Sequence, residues 1–176
     1  MKTPGWMPSN HKNECQTHYS KRIMQNIIKD EMHLIGIGLQ HPTTNQDNQS
    51  SRDCGMLWQR FENEDILPMI PDKLSQDIYA VYYGYEGDET MPFLYFIGCL
   101  VNKGTKIPEN LIGLHIPEQK YAVFTAKGEI PQCISNAWLH IWNSDIERSF
   151  KFDFEVFGSK SRDWKNAELE IYISID

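Results

Sequence analysis

Carboxylates alternate with large apolar residues along the last two strand-like segments of this chain. Asp153 and Glu155 lie in a run of aromatic and aliphatic residues, and Glu170 and Tyr172 recur in the final run, 168–175. Because alternate residues of a strand share a face, each pair projects to one side of the predicted sheet. A carboxylate held among aromatic rings is suited to bind an apolar cation. The alternative is an antiparallel pair with a solvated polar face, and the pattern alone leaves both open.

The composition is typical of a single globular domain. The chain has 176 residues, of which 40% are apolar and 23% charged, as expected of a folded protein rather than a disordered one. The aromatic share of 12% supplies more stacking surface than an aliphatic core requires, which favours a ligand pocket. The net charge of −7 repels phosphate backbones, so no direct nucleic-acid partner is expected.

The cysteines and histidines show no metal-binding or disulfide pattern. Cys15, Cys54, Cys99 and Cys133 lie far apart and form no CxxC pair, so they are predicted to be reduced thiols. The histidines lack ligand spacing, and neither a phosphate-cradling glycine loop nor a dinucleotide fingerprint occurs, so no metal and no cofactor is predicted. No apolar leader and no run of membrane-spanning length is present, which predicts a cytoplasmic protein without a membrane partner.

Hydrophobic periodicity predicts the elements that position these residues, as two successive units of strand, helix, strand and strand. The first unit has a strand at 33–39, a helix at 53–65 and strands at 76–85 and 93–101, and the second has a strand at 120–126, a helix at 131–142 and strands at 152–158 and 168–175. A proline-bearing linker, 103–117, joins them. Residues 1–30 are predicted to be an N-terminal tail in which 19–29 forms a short helix, and residues 31–176 to be the folded domain.

The two units also match in their spacing. Gly84 and Ile97 are as far apart in sequence as Gly158 and Ile171, and aromatic residues precede both glycines. This match predicts an internal duplication. Two similar halves would then lie side by side, with a groove on the pseudo-twofold axis between them.

Several short motifs follow one another along the chain in a specific order and spacing. They are Ile35-Gly36-Ile37, Trp58, Tyr82-Tyr83-Gly84, Tyr95-Phe96-Ile97-Gly98, Ile116-Pro117-Glu118, Tyr121-Ala122-Val123-Phe124, Trp138, Phe154-Glu155-Val156-Phe157 and Glu170-Ile171-Tyr172-Ile173. Together they resemble the GyrI-like, or AraC-type, effector-binding domain family. The resemblance implies an α+β fold in which duplicated strand-helix-strand-strand units form one antiparallel sheet with helices and a central ligand groove. No segment of the sequence resembles a fused DNA-binding domain. The chain is therefore expected to be similar to the free-standing cationic-drug-binding proteins of mobile gene cassettes.

The resemblance also implies which residues form the ligand site. The family carboxylate falls on Glu155, with Glu170 and Tyr172 as companions from the adjacent strand. The candidate aromatic walls are Trp58, Tyr82, Tyr83, Tyr95, Phe96, Trp142 and Tyr172. Strand parity lets only alternate members of a run face one side. The helix tryptophans Trp58 and Trp138 are more often core residues that pin a helix to the sheet.

Three functions are compatible with this pattern. The first is a protein that senses or sequesters amphipathic aromatic or cationic compounds through a buried glutamate. The second is a hydrolase of reactive small molecules, with Glu155 as general base and Tyr172 as its electrophilic aid. The third is an inhibitor that docks an acidic surface on a partner enzyme. The expected partners are hydrophobic cationic small molecules, and a protein partner or a homodimer stays open.

Overall fold

The computed structural model describes residues 25–176, which fold into one open antiparallel sheet with helices on one face. The eight strands are β1 (Gln25–Lys29), β2 (Met32–Gly38), β3 (Ile78–Tyr83), β4 (Leu94–Val101), β5 (Ile112–Ile116), β6 (Gln119–Gly128), β7 (Phe152–Phe157) and β8 (Ala167–Ile175). The helices are α1 (Gln49–Asn63), α2 (Ile66–Met69) and α3 (Gln132–Trp142). The strand order is β1-β6-β8-β7-β3-β4-β2-β5. The α+β class is confirmed.

The strand order also confirms the duplication of strand, helix, strand and strand. Strands β2, β3 and β4 lie on one side of the β7–β3 boundary, and β6, β7 and β8 lie in the mirrored order on the other. Aligning the two units on Gly84 and Gly158 places Ala80 opposite Phe154 in the comparison, and this alignment of β3 with β7 is wrong by one residue. Ala80 pairs with Glu155 across the boundary and belongs to the helix-side core, whereas Phe154 belongs to the core of the opposite face.

Buried side chains form a hydrophobic cluster on each face of the sheet. On the helix-bearing face, Ala80 and Tyr82 of β3 join a core that includes Leu57 of α1 and Ile134 of α3. On the opposite face, aromatic residues of neighbouring strands form a second cluster, whose rings include Tyr79, Tyr121, Phe154 and Tyr172. The solvated polar face considered for β7 is therefore absent, since Asp153 and Glu155 are both fully buried.

The N-terminal end of the described chain differs from the prediction. Gln25–Lys29 is a strand that pairs with β6, where the sequence predicts part of a short helix. The edge of β6 offers unpaired backbone groups, and the β-branched Ile27 and Ile28 favour the extended conformation that satisfies them. The rest of the predicted tail, residues 1–24, lies outside the described residues.

Two connections also differ from the prediction. The linker 103–117 contains the edge strand β5, which pairs with β2. Helix α1 begins at Gln49 rather than Asp53, whose carboxylate instead accepts a hydrogen bond from Thr43 Oγ1 at 2.6 Å. Within residues 25–176, no helix combines the length and the apolar character needed to cross a membrane. A cytoplasmic location stays a prediction.

Candidate functional site

Glu155 lies at the centre of the sheet, on the face that the helices cover. Its side chain is fully buried, and its Oε1 accepts hydrogen bonds from Trp138 Nε1 at 2.6 Å and from Tyr82 Oη at 3.0 Å. Tyr82 comes from the neighbouring strand β3, and Trp138 comes from α3 above the sheet. A strand of each half and a helix of the second half thus position one carboxylate next to the pseudo-twofold axis.

Aromatic rings surround this carboxylate. Tyr82 lies 4.8 Å from Tyr95, 5.0 Å from Trp138 and 5.9 Å from Phe93, measured between ring centroids. Trp58 of α1 donates a hydrogen bond from Nε1 to Tyr95 Oη at 2.9 Å, so the helix of the first half joins the same cluster. We call Trp58, Tyr82, Phe93, Tyr95, Trp138 and Trp142 the aromatic cage.

The electrostatics of Glu155 are those of a buried acid without a cationic partner. Burial raises its pKa to about 8, although the hydrogen bonds from Trp138 and Tyr82 act in the opposite direction. Within the described part of the chain, no lysine or arginine forms an ion pair with it, and its second oxygen, Oε2, is buried without a hydrogen-bond partner. An unpaired buried oxygen is costly, and a ligand that supplied a positive charge would remove that cost.

Because the pKa of Glu155 is raised by burial, the burial can be tested through the pH dependence of the free energy of unfolding. Because the folded pKa of about 8 exceeds the ordinary value of 4.5, the folded state holds its proton more tightly than the unfolded state. The stabilisation is complete below about pH 4.5 and is lost as pH rises through about 8. Relative to Glu155→Gln, the parent should therefore lose more than about 1 kcal/mol of unfolding free energy per pH unit in that window.

Urea denaturation of both proteins at several pH values from 5 to 9 measures this difference. The comparison with Glu155→Gln subtracts the pH dependence of every other group. A constant difference between the two proteins across this pH range would show that Glu155 is solvated, contrary to the geometry described above.

Asp153, the other carboxylate of β7, already forms an ion pair. Arg148 Nη2 lies 2.8 Å from its Oδ2, and Tyr85 Oη donates to the same oxygen at 2.8 Å. Oδ1 accepts from the backbone N and the Oγ of Ser174 at 2.6 and 2.8 Å. The arginine in turn lies 4.3 Å above the ring of Phe150. Asp153 therefore has a structural role, and Glu155 is the carboxylate with capacity left to bind.

A narrow cleft leads from the surface to the cage. It is lined by Tyr82, Phe93, Trp138 and Trp142 of the cage and by Asn45, Tyr85, Glu89 and Arg148. Glu89, whose side chain is 40% exposed, lies at its mouth, whereas the Arg148 side chain is only 6% exposed. Its free volume is only about 10 Å³, which holds no more than a water molecule. A larger guest requires side chains at the mouth to move.

The structure brings together about half of the site residues that the sequence predicts. Trp58, Tyr82, Tyr95 and Trp142 lie in the cage with Glu155, or pack against the same helix-side core. Their positions agree with strand parity, since Tyr82 and Tyr95 are cross-strand partners. Trp58 and Trp142 are partly exposed, so they form the outer part of the cage.

The prediction for Glu170 and Tyr172 as companions of Glu155 is wrong, and so is the placement of Tyr83 and Phe96 in the same site. All four project from the opposite face, where Tyr172 donates a hydrogen bond to the exposed Glu170 and stacks 4.6 Å from Phe154. The register explains the difference, because Ile171 is the residue of β8 that pairs with Glu155. The sheet also separates Glu155 from Tyr172, so these two residues cannot form the acid–base pair of the hydrolase hypothesis.

Trp138 and Phe93 are the cage residues missing from the predicted site. Trp138 lies in the helix-side core, the alternative that the sequence favours, and its indole also donates directly to Glu155. One signal was present in the sequence, because Trp138 and Trp142 are four residues apart and share a helix face. Phe93 lies just before β4 and carried no comparable signal.

Comparisons with known proteins agree with this fold of two sheet-forming halves. The family model described as integron-associated effector binding protein matches residues 27–175, and the chain belongs to this family. An integron cassette protein from the mobile metagenome of Vibrio cholerae has a similar structure, with a TM-score of 0.69 and 26% identity over 88% of this chain and 97% of that one. The GyrI-like resemblance is thereby confirmed.

Other relatives are named for regulation or for a bound compound. YobU of Bacillus subtilis, named as a transcriptional regulator, is 25% identical over 78% of this chain and 89% of its own length. BrlR of Pseudomonas aeruginosa, also a transcriptional regulator, is 31% identical over 69% of this chain but only 46% of its own length. SAV2435, solved with tetraphenylphosphonium bound, shares the fold with a TM-score of 0.68 and 17% identity over 88% of this chain and 94% of that one.

Proposed function

We propose that this protein binds lipophilic aromatic cations in the aromatic cage, with Glu155 as the counter-charge, and so senses or sequesters such compounds. The observation that carries the proposal is the state of Glu155. It is fully buried, it has one oxygen without a hydrogen-bond partner, and no basic side chain of the described residues is paired with it. Asp153 on the same strand lacks this free capacity because Arg148 already neutralises it.

The energies favour a cation over a neutral guest of the same shape. At an effective dielectric constant near 20, a charge centre about 6 Å from the carboxylate gains roughly 3 kcal/mol before desolvation is subtracted. Each aromatic face adds about 0.5–2 kcal/mol of cation–π attraction. A lipophilic cation loses little hydration when it enters the cage, so much of this attraction is retained. Stacking on rings tolerates variation in shape, and a broad set of cations is expected to bind.

The comparisons support the general class of function, which is the binding of small-molecule effectors. The family is described as effector binding, and SAV2435, which shares the fold, was solved with a lipophilic aromatic cation. The two curated relatives are named as regulators, which suits a domain whose ligand is a signal rather than a substrate. Tetraphenylphosphonium is therefore the probe of choice, since its charge is permanent and its four rings match an aromatic cage.

The position of the site is tested by comparing one variant on each face of the sheet. Trp138→Phe replaces the indole by a smaller ring and removes the donor to Glu155, and it is expected to weaken tetraphenylphosphonium binding by about tenfold. Tyr172→Phe lies on the opposite face and is expected to leave the affinity unchanged. Calorimetric titration measures both, and circular dichroism confirms that each variant is folded.

A reversed pattern, with Tyr172→Phe weakening binding and Trp138→Phe leaving it intact, would place the ligand on the other face. Equal affinity of both variants and the parent would also contradict the proposal. The absence of saturable binding to the folded parent would reject it outright.

A further inference from the structure

Three potential metal ligands meet at one end of the sheet, far from Glu155 in sequence and on different strands from it. Glu31 Oε2 lies 3.1 Å from His115 Nε2 and 3.7 Å from His33 Nε2. The donor atoms of all three residues lie within 4.8 Å of one another. The sequence spacing of the histidines gives no indication of this cluster, because His115 reaches it only through the pairing of β5 with β2.

The backbone holds these residues in place. His33 and His115 are directly opposite each other in the antiparallel pair of β2 and β5, and their rings stack at 4.7 Å. Glu31 precedes His33 by two residues, so its side chain projects to the same side of the strand. The pairing of β2 with β5 therefore brings the three potential ligands together.

His33 is the ligand of the three with a buried nitrogen that has no hydrogen-bond partner. Lys103 Nζ binds Glu31 Oε1 at 2.7 Å, and His115 binds the other oxygen, Oε2. His33 Nε2 is buried and has no hydrogen-bond partner. Buried nitrogen atoms without a partner are uncommon, and a metal ion at this position would supply one.

We propose that Glu31, His33 and His115 bind a divalent transition-metal ion of the zinc class, with a fourth position left to water. Two imidazole nitrogens and one carboxylate oxygen are a ligand set that zinc accepts. Tetrahedral coordination at about 2.0–2.1 Å places ligand atoms roughly 3.4 Å apart, and the two separations between Glu31 and the histidines, 3.1 and 3.7 Å, lie on either side of this value. The two rings need only turn out of their stack so that both nitrogens face the ion. This site is independent of the proposed cation site.

The ion would stabilise the pairing of β5, the edge strand, with β2. Strand β5 ends the strand order, and β2 is its one neighbouring strand in the described chain. A metal bridge between His33 and His115 joins the two strands through side chains as well as through the backbone. Because the bridge forms only in the folded protein, the ion should stabilise the fold, and the stabilisation should grow with the logarithm of the ion concentration above Kd.

Titration of the full, untagged protein with zinc chloride tests the site. We expect one equivalent to bind by calorimetry and saturating zinc to raise Tm by about 5 °C. His115→Ala and Glu31→Gln are expected to lower the affinity about 100-fold and to abolish the rise in Tm. His41→Ala is the matched control, since this histidine is exposed at the other end of β2.

Substitution of Co²⁺ for zinc adds a spectroscopic readout, because four-coordinate cobalt absorbs visible light strongly. Visible absorption in the parent and in His41→Ala, but not in His115→Ala, supports the site. Equal zinc affinity in the parent, His115→Ala and Glu31→Gln would place the metal elsewhere, for example on His11 or His18, and would overturn the proposal. Absence of binding to the folded parent at millimolar zinc would overturn it as well.

Discussion

At about pH 9, where Glu155 of the empty site is ionised, Glu155→Gln is expected to lower the affinity for tetraphenylphosphonium by about 10- to 100-fold. The substitution keeps the shape of the side chain and an oxygen that accepts from Trp138 and Tyr82, and it removes only the charge. The Coulomb attraction of roughly 3 kcal/mol, reduced by desolvation, corresponds to this range. The affinity is measured by the quenching of tryptophan fluorescence, since the cage contains three tryptophans and one of them, Trp138, donates to the carboxylate.

A neutral guest separates charge from shape in the same experiment. Triphenylphosphine oxide has similar rings but no net charge, so its affinity should change by less than about threefold on Glu155→Gln. Glu170→Gln is the matched protein control, because that glutamate is exposed on the opposite face. If Glu155→Gln and Glu170→Gln bound the cation as tightly as the parent, Glu155 would not be its counter-charge.

The affinity for tetraphenylphosphonium is expected to rise with pH by about 100-fold between pH 6 and pH 9. The empty site has a Glu155 pKa of about 8, so at pH 6 most molecules carry a neutral acid that must lose its proton before it can pair with the cation. Below this pKa each pH unit should change the affinity about tenfold, and above it the affinity should level off. The ligand has a permanent charge, so its own titration does not contribute.

The neighbouring groups do not titrate in this pH range. Burial raises the pKa of Tyr82, Tyr95 and Cys54 well above their ordinary values, so these side chains stay neutral. The profile in Glu155→Gln should therefore be flat from pH 6 to 9. An equally steep profile in the variant, or a flat profile in the parent, would show that the bound cation does not depend on the ionisation of Glu155.

The sequence predicts most of the sheet because alternation and turn residues report local structure well. The strands around Tyr82, Tyr95 and Glu155 were placed correctly by their alternation. Two edge strands were missed for a common reason. Gln25–Lys29 and Ile112–Ile116 each form by pairing with the outer edge of the sheet, and that partner is invisible in a local pattern.

The candidate site was predicted less completely, and the errors have one physical origin. Alternation shows that Glu170 and Tyr172 share a face, but it does not show which residues of β7 share that face with them. The register of β7 against β8 decides this, and it pairs Tyr172 with Phe154 rather than aligning it with Glu155. The cluster of potential metal ligands was not predicted from the sequence for the same reason, since His33 and His115 meet only through strand pairing.

A crystal structure with tetraphenylphosphonium tests the central claim most directly. We expect the cation on the helix-bearing face, with its phosphorus about 6 Å from the free oxygen of Glu155 and its rings against Tyr82 and Trp138. Side chains at the mouth of the cleft should have moved to admit it. A cation bound beside Tyr172 on the opposite face, with Glu155 still sealed, would contradict the account.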